Sequence, residues 1–132
     1  FPNAKTAGME GVIAIPHLGA STEEAEDNCA AMAAKELVDY IENGNIKNSV
    51  NFPNAEMNAV GKKICILHKN EKGMIGKYTA ALGDAEINIE NMANKARGDY
   101  AYSILDLATP ITQEAIDKLT AIDGVIRVNV IK

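Results

Sequence analysis

The sequence predicts an α+β fold: a ferredoxin-like βαββαβ domain over residues 61–132, preceded by a strand and a helix that read as part of a larger α/β unit. Three observations carry this reading. Residues 11–19 form one apolar run interrupted by a proline and followed by a capped helical stripe. Residues 46–60 lose periodicity in favour of Asn, Ser and Pro. Beyond them, strand and helix periods alternate in the order βαββαβ.

The run G-V-I-A-I-P-H-L-G at 11–19 has the unbroken hydrophobicity of a strand buried on both faces of a parallel sheet, and Pro16 stops it. Ser21 and Glu24 fit a capping box, so a helix is expected to start there. Its stripe runs Ala25, Cys29, Ala33, Leu37 and Ile41, thickened by Met32, Val38 and Tyr40, and Asn43-Gly44 fits its C-terminal end. One strand offers that stripe too little to lie against. Residues 1–45 are therefore expected to be the remnant of a larger catalytic region, and 46–60 a linker. The opening Phe1-Pro2-Asn3, without an initiator Met, reads in the same sense as the middle of a surface loop.

In the second half, strands are expected at 63–68, 87–96, 100–108 and 125–131, and helices at 74–84 and 112–121. Arg97-Gly98-Asp99 reads as a hairpin turn, Thr112 as a helix cap, and Asp123-Gly124 as the stop before the last strand. The face Ile75, Tyr78, Thr79, Leu82 and the face Ala115, Ile116, Leu119, Ile122 are expected to bury against Ile64, Ile66, Ile87 and Ile89. A core of this size is marginal, and pairing with a second copy would help it.

The formal charge is -5, and the 13 Lys and Arg residues are scattered, which argues against a nucleic-acid partner. No apolar run approaches the roughly 20 residues of a bilayer crossing. Cys29 and Cys65 lack metal-ligand or C-x-x-C spacing, so they are expected to be free thiols in a reducing cytoplasm, and no metal is expected.

Two constellations carry chemistry. Pro16-His17-Leu18-Gly19-Ala20-Ser21-Thr22-Glu23-Glu24-Ala25 sets an imidazole at the C-terminal end of the first expected strand, where open α/β sheets bind ligands. Taken singly, His17 fits a plain strand-end residue as well. The whole segment resembles the catalytic-histidine segment of the D-2-hydroxyacid dehydrogenases, within them the D-3-phosphoglycerate branch. That resemblance implies His17 as general base for hydride transfer to NAD, and Gly19 and Ala20 beside the nicotinamide. It implies oxidation of 3-phosphoglycerate to 3-phosphohydroxypyruvate, the entry to L-serine biosynthesis. The family's G-x-G-x-x-G turn, its substrate-carboxylate Arg and the acid that orients the histidine do not stand in these 132 residues, so no turnover is expected of the chain alone.

The second constellation is His68-Lys69-Asn70-Glu71-Lys72-Gly73-Met74, with Asn88 further on. Free amides at a helix start suit a carboxylate, and Asn carbonyls suit an ammonium. Turn chemistry alone also favours Asn and Gly there. The pattern resembles the effector site of serine-sensitive phosphoglycerate dehydrogenases, whose H-x-N-x-x-G loop and later Asn hold serine between two ACT domains. It implies an amino-acid-binding ACT domain at 61–132 using His68, Asn70, Gly73, Met74 and Asn88, L-serine as effector, and a homo-oligomer. Lys72 departs from the Pro the family often places before this Gly. An effector-free oligomerisation module and a freestanding binding protein remain as alternatives.

Overall fold

The computed structural model describes residues 3–58 and 62–131. They divide into two compact units, one up to Lys35 and one from Glu36 onward.

In the first unit the expected strand does not form. Residues 12–18 carry no regular structure and are exposed throughout. The reason is physical: a strand exists only by exchanging N–H and C=O bonds with a neighbour, and the described residues before Lys62 contain no other strand. The helix does form, as α1 (Glu23–Asn43), its residues from Glu36 onward counting with the second unit. Its cap is Thr22, whose Oγ1 accepts from the Ala25 amide at 3.2 Å and whose carbonyl accepts from Glu26 at 2.9 Å. The Ser21 amide, expected to be met by Glu24, instead donates to Leu18 O at 3.1 Å. No residue of α1 is buried. Gly44 ends the helix as expected, at φ +66° with its amide on Tyr40 O at 2.9 Å.

The second unit contains β1 (Lys62–Lys69), α2 (Met74–Asp84), β2 (Ile89–Arg97), β3 (Tyr100–Leu107), α3 (Gln113–Thr120) and β4 (Val125–Val130). The sheet order is β2-β3-β1-β4, every neighbouring pair antiparallel. β2 and β3 meet as expected across a tight turn in which Gly98 takes φ +58°. Thr112 caps α3, its Oγ1 accepting from the Ala115 amide at 3.2 Å.

Alternation along the strands makes two cores. Ile64, Ile66, Leu105 and Leu107 face Tyr78, Leu82, Ala115 and Leu119 of the helices. The expected helical phase is nearly met, except that α2 buries Met74 and leaves Ile75 exposed.

On the sheet's other face, Cys65, Tyr102 and Ile104 are covered by a strap over residues 44–57, most of which falls in the stretch 46–60 expected to be a bare linker. Ile46 and Ala55 exchange backbone hydrogen bonds of 2.8 and 3.0 Å and are buried together with Met57. This strap forms because a sheet patterned apolar on both faces needs a second cover. Residues 59–61, the end of the expected linker and the start of the expected domain, lie outside the described residues. Lys63 is only 5% exposed, its ammonium donating to Met57 O at 2.7 Å, to Asn45 Oδ1 at 3.3 Å and to Asn43 O. Three oxygen acceptors satisfy the buried charge without a carboxylate.

Candidate functional site

β1 runs toward a loop, residues 70–73, that opens α2, and the second chemical constellation sits there. Gly73 stands at the helix N-cap with φ +81° and no side-chain cap. Only glycine takes that conformation without strain, and the missing cap leaves first-turn amides unclaimed by the helix. The side chain of Met74 turns inward and is buried. The loop is held from the side by the β2–β3 turn: the Asn70 amide donates to Asp99 O at 2.8 Å and its Nδ2 to Gly98 O at 3.0 Å. Beside it lies a cleft of about 230 Å³ lined by Lys69, Asn70, Glu71, Asp99 and Tyr100.

His68 does not open onto this cleft. It is 2% exposed and points toward α2 within a polar cluster that sequence reasoning missed. Nδ1 lies 2.7 Å from Lys69 O and, facing a carbonyl, donates to it. Nε2 lies 3.1 Å from Ser103 Oγ and 3.3 Å from Asn94 Oδ1. Ser103 Oγ in turn is 2.8 Å from both the Tyr78 hydroxyl and Asn94 Oδ1. Ser103 thus has one proton for two acceptors, and the network depends on it. Burial pushes the Tyr78 hydroxyl above its ordinary value, with the Ser103 hydrogen bond partly offsetting the rise. The available signal was Ser103 itself, the one small polar residue inside the otherwise bulky or apolar run A-Y-S-I-L.

Asn88 is not brought to the same place. Its carbonyl accepts from Ala108, at the opposite end of β3 from Asp99, so within one chain it lies on the order of 25 Å from Asn70 at the usual strand rise. Its side chain donates to Glu90 Oε1 at 3.1 Å.

In the first unit His17, Gly19 and Ala20 are all exposed. A Cβ built on Gly19 would meet nothing within 4 Å, and no G-x-G-x-x-G turn occurs in the sequence. These residues do not by themselves fit a dinucleotide. Among the described residues no cluster of metal-ligating side chains occurs, and no helix is long and apolar enough to cross a membrane.

The sheet order and the two helices on one face define the second unit as a ferredoxin-like α+β domain. Solved ACT domains are similar to it: that of GTP pyrophosphokinase from Chlorobium tepidum, at 22% identity and TM-score 0.47, covers 52% of this chain and 94% of its own. The regulatory subunit of aspartate kinase from Thermus thermophilus, at 16% identity and TM-score 0.44, covers 52% of this chain and 48% of its own. Over most of its length the chain is similar to a part of the D-3-phosphoglycerate dehydrogenases. It is 32% identical over 125 residues to that of Haemophilus influenzae, and 26% identical over 122 residues to that of Escherichia coli K12. These alignments cover 93% and 90% of this chain, which spans 30% of the length of either relative. No protein-family model matches the chain.

Proposed function

We propose that residues 61–132 are an ACT domain that binds a small amino acid, L-serine, and regulates an NAD-dependent D-3-phosphoglycerate dehydrogenase of the cytoplasm to which this chain belongs. The single observation that carries the reading is the uncapped N-terminus of α2 at Gly73, set beside the Asn70 loop and its cleft. Amides freed at a helix start receive a carboxylate, and the macrodipole favours its charge. Carbonyl and carboxylate oxygens of Asn70, Glu71 and Asp99 suit an ammonium.

In this reading the effector sits between two copies. β2 is a sheet edge, and antiparallel pairing of two β2 strands brings Asn88 of one copy toward the 70–73 loop of the other. Exposed Ile75 and Met92 on the α2–β2 side supply apolar contact for such pairing. His68 then shapes the wall of the mouth through Ser103 rather than touching the ligand from its present position. His17 is the catalytic base, with Gly19 and Ala20 beside the nicotinamide once the rest of that site surrounds them. The chain alone does not turn over.

A second reading, an oligomerisation module without effector, is favoured by the burial of His68 and by its bonds within its own chain. Calorimetry of L-serine against the 132-residue chain separates the two. Saturable heat that Asn70→Ala abolishes supports the sensor; the absence of heat at millimolar serine supports the module.

A further inference from the structure

The strap over the helix-free face and the loop that opens α2 are far apart in sequence, yet both are fastened to the same β2–β3 turn. On one side, Asn70 binds the turn carbonyls of Gly98 and Asp99 through its amide and its side chain. On the other, Arg97 Nη1, one residue before that turn, donates to the strap carbonyls of Ser49 at 2.7 Å and Phe52 at 3.3 Å. The Phe52 ring lies against Tyr100 and Tyr102, with centroids 5.8 and 6.4 Å apart, so the residue after the turn grips the same part of the strap. Within the strap, the Phe52 amide donates to Ser49 Oγ at 3.1 Å, which aims both carbonyls at the guanidinium.

The strap's other end is tied as firmly. The Tyr102 hydroxyl donates to Gly44 O at 2.8 Å, and the Lys63 ammonium donates to Asn43 O and Met57 O. The strap is therefore pinned at its helix end by β1 and β3, and at its tip by Arg97 alone among the described cationic side chains. Both bonds leave one nitrogen, Nη1, whose N–H directions are fixed in the guanidinium plane, whereas a lysine ammonium rotates freely about its last bond.

We infer that Arg97 is a positioning residue that couples the docking of the 44–57 strap to the order of the 70–73 loop, through the turn at Gly98 and Asp99. The inference rests on the sensor reading for its regulatory meaning, because a ligand that orders the loop then tightens the strap leading back to α1. Coupling of this kind is reciprocal: loosening either fastening loosens the other. The mechanical coupling itself does not require a ligand.

Amide hydrogen exchange on the whole chain tests it, first without ligand. In Arg97→Ala, exchange is expected to speed up roughly five-fold, the factor equivalent to about 1 kcal/mol of lost hydrogen bonding, at Ile46, Phe52 and Ala55 and also at the Asn70 amide. Arg97→Lys should restore only part of this protection. In Asn70→Ala the strap amides should speed up although the substitution touches no strap atom. The β1–β4 amides around Ile64 and Val130 should be unchanged in both variants, which excludes general loosening. If Arg97→Ala frees the strap but leaves Asn70 protected, or if Asn70→Ala leaves the strap unmoved, the coupling is wrong whatever serine does. Adding 10-fold-increasing L-serine to the wild-type chain then reads the regulatory part. Serine heat with unchanged strap protection overturns that part while the sensor stands, and coupled variants without serine heat overturn the sensor while the coupling stands.

Discussion

Ser103 shows how one residue decides the character of a site. Its hydroxyl is the common partner of His68 Nε2, Tyr78 and Asn94. Ser103→Ala takes a partner from the buried Tyr78 hydroxyl and from whichever of His68 Nε2 and Asn94 Oδ1 receives the Ser103 proton, and each loss costs on the order of 1 kcal/mol or more. A total of about 2 to 3 kcal/mol is expected, seen as a fall of roughly 10 °C or more in the thermal midpoint of the ferredoxin-like unit. Gly44 decides a second point. Its φ is +66°, and a Cβ there would drive into Cys65 Sγ. Gly44→Ala therefore combines backbone strain with a clash against a buried thiol, and about 2 to 4 kcal/mol should be lost in urea unfolding.

Buried hydroxyl and thiol groups also give the unit a pH signature. Burial raises Cys65 above 9.0, an effect partly offset by Tyr102 and Lys63, and burial raises Tyr78 and Tyr102 above 10.0. For Tyr102 the neighbouring Cys65 adds to the rise. In the unfolded chain these groups lose their protons at ordinary values, while the folded chain keeps them. Stability from this source is complete below about pH 9 and falls as pH rises beyond it, because the unfolded state there binds fewer protons. The urea midpoint should be level between pH 7 and about 9 and then decline. A midpoint still level at pH 11 would contradict the burial of all three.

At the scale of elements, the contrast lies between α1 and the strap. α1 has the apolar stripe of a packed helix, yet Leu37 and Ile41 are 62% and 71% exposed. The strap has the composition of a loop, yet it closes a core over Ile104. Leu37→Ser and Ile41→Ser should change the unfolding midpoint hardly at all, within roughly 0.5 kcal/mol as for other surface substitutions. Ile104→Ala should cost about 2 to 5 kcal/mol, although it faces away from both helices. Equal effects at 41 and 104 would mean that the stripe has found a cover or that the strap is not one.

These two elements also mark the limits of periodicity. It located α2 to the residue, at Met74–Asp84, because a long amphipathic stripe and a glycine cap agree there. It misplaced the strap because Asn, Ser and Pro signal turns whether or not the turns are packed. It promised a strand at 11–16 because an apolar run states a need for burial, not the presence of neighbours.

At the scale of the molecule, an exposed imidazole segment and an uncapped helix start share one chain, and the prediction follows from what surrounds the imidazole. His17 stands exposed with no pyrophosphate-binding turn in the sequence. The chain alone should therefore give no NADH from 3-phosphoglycerate, followed by the absorbance of the reduced nicotinamide. Steady production above background would refute the reading of His17 as a group needing partners outside these residues.

Read by itself, the chain dictated the order βαββαβ, the caps at Thr112 and Gly44, the hairpin at Gly98 and the loop from Asn70 to Gly73, because each follows from chemistry within a few residues. What tertiary structure alone decided is which of those groups meet. It turned His68 into the core, set Asn88 at the far end of the sheet, buried Lys63 among carbonyls and fastened Arg97 to a strap 45 to 48 residues upstream. Those placements come from strand order and register, and pairing between strands distant in sequence leaves no mark in local periodicity.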